Sequence, residues 1–242
     1  MTLKKVRIQI EGNVGEYICV LHNMVNIFSF LLGSGKSTLA NMLKEVLCNE
    51  YSIESDVFLE PIAEWSKNNL LSLALQCPRV YMFHLQTKIM TTFFNQRRVQ
   101  TKTPVSIYER SLWSAKNVFQ KLYYDEEELK KSEVETLDLL HDTLVKEKVH
   151  LSNPTVIIYI KLSPEECYRR KCIRTDYCDK DADEVTTLQQ LHKLEEQYEE
   201  ALKTCNQKKI LMLDGTLDPL TLARGAANVL TSFFPATQAF IS

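Results

Sequence analysis

The segment Gly33-Ser-Gly-Lys-Ser-Thr38 stands directly before Leu39-Ala-Asn-Met-Leu-Lys-Glu-Val-Leu47, whose apolar residues recur at helical spacing. A glycine-rich turn that enters a helix through Gly-Lys-Ser is the second half of a phosphate-binding loop. Backbone N–H groups and the helix N-terminus cradle the phosphates, the lysine reaches the outer ones, and the next hydroxyl holds Mg²⁺. The full pattern needs a glycine six places before the lysine, and that place is Phe30. The missing half lies upstream, where the strand-like Val6-Arg-Ile-Gln-Ile10 runs into Glu-Gly-Asn-Val-Gly15. Removing residues 16–33, 18 in all, restores Glu-Gly-Asn-Val-Gly-Ser-Gly-Lys-Ser-Thr with Gly12 six places before Lys36. The candidate ATP-binding residues are therefore Gly12, Asn13, Val14, Gly15, Ser34, Gly35, Lys36, Ser37 and Thr38, with the Ser37 hydroxyl a candidate Mg²⁺ ligand.

The intervening segment reads as a translated intron. Gly15-Glu-Tyr can be encoded by GGT GAG TAT, which contains a splice donor, and Phe28–Gly33 by a pyrimidine-rich run ending in TAG. The phases agree, because the first base of Gly15 joins the last two of Gly33 to leave one glycine codon. The alternative is a genuine apolar loop inserted beside the phosphate site.

Composition narrows the class. With 29 basic and 31 acidic residues among 242, net charge −2, the chain is not built to bind a nucleic-acid backbone. Its seven cysteines are scattered without a CxxC pair, which points to a reducing compartment rather than to disulfides or zinc. Tyr17–Leu32 is the most apolar stretch, and its 16 residues fall short of a membrane span. Residues 1–5 before the first strand are too short for a signal or mitochondrial presequence. A cytoplasmic protein is expected, with the nucleus as the alternative.

Five strand-like segments alternate with helical ones: residues 6–10, 56–59, 104–108, 155–160 and 209–214. This predicts an α/β three-layer fold with a central parallel five-stranded sheet and helices on both faces. One domain over residues 1–242 is expected, with a C-terminal tail from about residue 218. The charged run at residues 125–135 reads as the solvated start of a helix.

Five elements occur in a telling order: the split glycine loop; Leu59-Glu-Pro-Ile-Ala-Glu-Trp65; Gln86 in a helix; Glu109-Arg-Ser111 after a strand; and Ser163-Pro-Glu165 before an arginine-bearing helix. In these the chain resembles the deoxynucleoside kinases, the group containing mitochondrial-type thymidine kinase and the broad-specificity insect enzyme. The resemblance runs from about Val6 to Leu217. It implies a P-loop NTPase-type fold with a helical lid, ATP with Mg²⁺, a deoxynucleoside substrate and a homodimer. No nucleic-acid or membrane partner is implied.

Under that resemblance each residue takes a role with a physical reason. Glu60 accepts the proton of a 5′-hydroxyl attacking the γ-phosphate, and Arg110 steadies Glu60 and neutralises phosphate. Glu109 helps hold Mg²⁺. Trp65 walls the nucleoside pocket, Gln86 offers one acceptor and two donors to a pyrimidine edge, and Phe119 stacks on the base. Arg170 and Arg174, four apart on one helix face, belong to a lid over the triphosphate. Ile89 and Ala115 occupy places where purine- and deoxycytidine-preferring relatives carry an arginine and an aspartate, which leaves room for a thymine methyl. A tyrosine that touches the sugar corresponds here to Leu75, and Asp179 is the candidate substitute for a sugar-binding glutamate. Plainer readings stay open: a helix-capping Glu60, a core Trp65 or Phe119, a solvated Gln86, a structural Glu109–Arg110 pair, a basic helix face. So do a thymidylate-type nucleoside-monophosphate kinase and a catalytically impaired nucleotide-binding protein.

Eighteen residues between the halves of the loop work against the convergence of its N–H groups on one anion. The chain as written is expected to bind ATP weakly and excising residues 16–33 to restore binding, as read by calorimetry; equal affinity of the two forms would show a tolerated loop.

Overall fold

The computed structural model describes residues 6–12, 35–147, 156–175, 187–205 and 210–232. Five strands, β1 (Val6–Gly12), β2 (Ser55–Phe58), β3 (Val105–Glu109), β4 (Val156–Lys161) and β5 (Ile210–Asp214), form one sheet in the order β2-β3-β1-β4-β5. Every pairing is parallel. β1 lies in the centre, paired through Ile8 with Ile107 on one side and with Val156 on the other. The order reverses at β1, and open α/β sheets bind ligands outside the carboxyl ends of the strands at such a point.

The two faces of the sheet differ. Ile8, Ile10, Val105, Ile107, Val156, Ile158 and Ile160 point to one side and form a wholly apolar layer against two helices, α1 (Lys36–Tyr51) and a C-terminal helix (Pro219–Thr231). The alternate residues Gln9, Glu11, Ser106, Tyr108 and Tyr159 are buried on the other side. A central strand of a covered parallel sheet is ordinarily apolar throughout. The polar alternation in β1 is therefore not a solvent face; it builds a buried hydrogen-bonded layer.

Over the polar face lie α2 (Ile62–Trp65), α3 (Leu70–Gln76), α4 (Pro78–Arg98) and a helical run assembled from α5 (Leu112–Ser114), a π-helical stretch (Ala115–Gln120) and α6 (Lys121–Asp125). Trp65, Leu71, Met82, Leu85, Met90 and Phe93 pack these together. Then follow α7 (Lys131–Glu147), α8 (Pro164–Thr175), α9 (Leu188–Thr204) and α10, the C-terminal helix.

Two expectations are corrected. The stretch from about residue 218 is not a tail: Asp218 caps α10 by accepting hydrogen bonds from the N–H groups of Leu220 and Thr221 at 3.1 and 3.0 Å, and Leu222, Ala223, Ala226, Ala227 and Leu230 are buried against α1. The run 125–135 is not one helix start: Asp125 ends α6, a turn with Glu127 at φ 56° follows, and α7 begins at Lys131.

Gly215, just after β5, donates its N–H to the Lys161 carbonyl at 2.8 Å. A β-carbon there would meet Ile160 Cγ2 at 2.9 Å and the Lys161 oxygen at 3.0 Å. Gly215→Ala should cost about 1–3 kcal/mol by crowding the end of β4. A lowered urea midpoint at unchanged m-value would show it, and an unshifted midpoint would refute it.

Candidate active site

The carboxyl ends of β1, β2 and β3 and the start of α1 meet at one place. Gly35 precedes α1 with φ 83°, a left-handed backbone that glycine adopts without strain. Ser37, in the first turn of α1, donates from Oγ to Glu109 Oε2 at 2.9 Å. Glu109 ends β3 opposite Ile10 in the β1 register, so α1 begins beside the strand that ends in Gly12. This is the placement that joining the two halves of the loop requires. Asn13, Val14, Gly15, Ser34, residues 16–33 and Asp179 lie outside the described residues, as does the side chain of Arg174.

Glu60 follows β2 and its side chain is 3% exposed. Arg110, equally buried, places Nε 3.3 Å from Glu60 Oε1, at ion-pair distance but misaligned for a hydrogen bond. Burial pushes the Glu60 carboxyl up to about 8; Arg110 opposes this shift and Glu109 adds to it. For Arg110 burial works against the charge, but Glu60, Tyr198 and Glu11 outweigh it and hold the guanidinium protonated. Arg110 also has a left-handed backbone, φ 58°. Its N–H donates to the Ile10 carbonyl at 3.0 Å, and its own carbonyl accepts from Arg97 Nη2 at 3.4 Å. The conformation is unfavourable for an arginine and is held from both sides.

Glu60, Trp65, Gln86, Ile89, Arg110, Ala115 and Phe119, all named from the sequence, line one cavity. The Arg110 guanidinium lies 4.4 Å over the Phe119 ring, so Phe119 supports the arginine as well as forming a wall. Trp65 is 1% exposed, donates from Nε1 to Thr92 Oγ1 at 2.8 Å and meets Phe93 edge-on at 5.5 Å. Gln86 is 1% exposed, and neither its oxygen nor its nitrogen has a hydrogen-bond partner. A buried amide with both ends unsatisfied is costly unless a ligand completes it. The walls stand close, leaving about 20 Å³, so a ligand of nucleoside size could enter only as side chains move apart.

Four further wall residues, Leu71, Leu85, Phe93 and Tyr123, were not singled out from the sequence. Tyr123 had a signal: it lies four residues beyond Phe119 and eight beyond Ala115, close to the helical repeat that brings side chains to one face. The buried layer beneath the site was also missed. Glu11 accepts hydrogen bonds from Gln9 Nε2, from Ser111 Oγ at 3.1 Å and from Tyr198 Oη at 2.9 Å. Burial raises its carboxyl above the usual range despite Arg110.

Arg170 departs from the expectation for an ATP-binding lid residue. Its Nε donates to Glu166 Oε1 at 2.8 Å and its Nη2 to the Gly215 carbonyl at 3.1 Å, which ties α8 to the turn after β5. Leu75 is half-buried in the apolar cluster around Trp65. A larger cavity of about 260 Å³ between the π-helical stretch, α6, α7 and α9 is lined by Lys116 and Lys121, but these pair with Asp138, Asp142 and Glu200.

A hydroxyl and a carboxylate, Ser37 and Glu109, supply hard oxygen donors. Among the described residues no group of three or more His, Cys, Asp or Glu could hold a metal. Two protein oxygens suit Mg²⁺, which keeps several waters and shares substrate phosphates.

The sequence signature of deoxynucleoside kinases matches residues 31–232. The chain belongs to the deoxynucleoside kinase family. The match starts just before the second half of the loop, so β1, central in the sheet, precedes it. Similar to this deoxynucleoside kinase chain are deoxycytidine kinase of Rattus norvegicus, 25% identical over 77% of this chain and 82% of the relative, and deoxycytidine kinase of Homo sapiens, 26% identical over 59% and 63%. Mitochondrial deoxyguanosine kinase of Xenopus laevis is 26% identical over 68% of each chain.

Glu60 gains its charge as pH rises through about 8 in the nucleoside-free protein. For a reaction that needs Glu60 as proton acceptor, kcat/KM should rise with pH and level off above that value. A profile flat from about pH 6 to 9 would exclude Glu60 as the titrating base.

Proposed function

We propose that this family member transfers the γ-phosphate of ATP to the 5′-hydroxyl of a deoxynucleoside, with pyrimidines and thymidine in particular favoured. The observation that carries the reading is Gln86. Its unpartnered amide shares a cavity with the Glu60–Arg110 pair, so one molecule can present a hydrogen-bonding base edge and a hydroxyl to the two at once. Glu60 in its charged form takes the hydroxyl proton, and Arg110 keeps that carboxylate oriented while countering phosphate charge. Lys36, buried at the start of α1, would reach the outer phosphates. Mg²⁺ held between Ser37 and Glu109 would neutralise charge on the bridging phosphates. A buried base suits a hydroxyl acceptor, which argues against a nucleoside-monophosphate substrate, whose acceptor phosphate needs none.

Ile89 and Ala115, both on the cavity wall and both uncharged, support the pyrimidine preference. The similarity of the chain to deoxycytidine and deoxyguanosine kinases makes this a point to measure. A second reading, a nucleotide-binding protein with impaired catalysis, is favoured by the 18-residue insertion in the loop.

Turnover of the 242-residue chain and of the form lacking residues 16–33, across four deoxynucleosides, separates these readings. Thymidine should give the highest kcat/KM, and Glu60→Gln should lower kcat by about 10²–10⁴-fold with little change in KM. Equal turnover in Glu60→Gln would reassign Glu60 to structure. Ile89→Arg with Ala115→Asp should shift preference towards deoxycytidine or purines, and thymidine remaining the best substrate would refute the pocket assignment.

A further inference from the structure

The proposed function, on which this inference rests, leaves one part of the substrate without a partner among the described residues, Asp179 lying outside them. Gln86 is matched to the base, and Glu60 with Arg110 to the 5′-hydroxyl. The deoxyribose joins them and carries a 3′-hydroxyl that loses water when the cavity closes. A polar group buried without a hydrogen bond is unfavourable, so the wall must offer a donor or acceptor.

Few wall residues can. Leu71, Leu85, Ile89, Phe93, Ala115 and Phe119 have no hydrogen-bonding side-chain group. The Trp65 N–H is already given to Thr92. Leu75, in the same apolar cluster, has no hydroxyl to offer. Tyr123 remains. It lines the cavity, is 7% exposed, and its ring lies 6.3 Å from that of Phe119. Its hydroxyl makes no hydrogen bond with a described residue, yet it is not among the sealed, unsatisfied polar atoms.

We propose that the Tyr123 hydroxyl hydrogen-bonds the 3′-hydroxyl of the bound deoxynucleoside and so sets selection for that group. Its position along the substrate follows from its neighbours. The phenol lies within electrostatic reach of Arg110 and Glu60, the groups matched to the 5′-hydroxyl, and in a deoxyribose the 3′-hydroxyl is attached next to the carbon that bears the 5′ arm. Burial, with Glu128 beside it, keeps the phenol protonated, so it can donate as well as accept. Placed four residues after Phe119 on the helical run, Tyr123 moves with the aromatic wall, so the base platform and the sugar contact are adjusted together.

The test needs no phosphate transfer and so is independent of the split loop. Calorimetric affinities of the 242-residue chain are compared for thymidine against 3′-deoxythymidine, and for deoxycytidine against 2′,3′-dideoxycytidine. One neutral hydrogen bond corresponds to about a 5- to 10-fold preference for the 3′-hydroxyl form. Tyr123→Phe, which removes only the hydroxyl, should bring the ratio to about one while 3′-deoxythymidine binds as before. A ratio unchanged in Tyr123→Phe overturns the inference. A ratio of one in the unaltered chain overturns it without any variant. Failure of the unaltered chain to bind any deoxynucleoside overturns the proposed function first, and this inference with it.

Discussion

A carboxylate and a guanidinium buried side by side at the end of the sheet set the terms for everything around them. Neither Glu60 nor Arg110 is stable there alone: removing one member of a buried pair leaves an uncompensated charge, at a cost of about 3–5 kcal/mol. The surroundings answer this. The backbone of Arg110 is bent into a left-handed conformation and pinned to β1 and to Arg97, its guanidinium rests on Phe119, and Glu11 adds charge from below. Burial nonetheless outweighs the attraction of Arg110, and Glu109 adds to it, so Glu60 keeps a raised proton affinity. A carboxyl that stays close to its protonated form follows from burial that its cationic neighbour only partly offsets.

The sheet makes this arrangement stable by separating two tasks. One face is aliphatic and closes against α1 and α10, which supplies burial without polar atoms. The other face carries Gln9, Glu11, Ser106 and Tyr159 into a layer where Tyr198 and Ser111 complete the hydrogen bonds of Glu11. Tyr198 belongs to α9, so the helix following residues 176–186 is joined to the floor of the site by a phenol–carboxylate contact and by ring contacts with Phe119 and Tyr159.

Much of this was legible in the chain. The strands announce themselves because apolar residues alternate or run together between breaks, and their alternation with helices fixes a parallel sheet. Glu60, Gln86, Arg110 and Phe119 were found from their order and their resemblance, and they line one cavity. What escaped was non-local. Glu11 carries no local sign of burial, because the groups that enclose it, Ser111 and Tyr198, lie far along the chain. Arg170 reads as a phosphate ligand, and nothing in its sequence context marks the hydrogen bond it also gives to the distant Gly215 carbonyl. The helix over Pro219–Thr231 lies beyond the resemblance, which ends at Leu217, and only Asp218 and Pro219 mark its start in the sequence.

The central position of β1 has a consequence for the segment that follows it. Lengthening the β1–α1 connection by 18 residues adds only about 1 kcal/mol of chain-closure entropy, because that cost grows with the logarithm of loop length. The sheet, α1 and the cavity beside Glu60 can therefore assemble at almost undiminished stability. Anion binding has no such tolerance, since it depends on a few N–H vectors meeting at one point. Folding and phosphate recognition thus respond to the same stretch of chain on different scales, one logarithmic and one set by ångströms. A protein of this kind can pass every test of foldedness and still be separated from activity by a single connection.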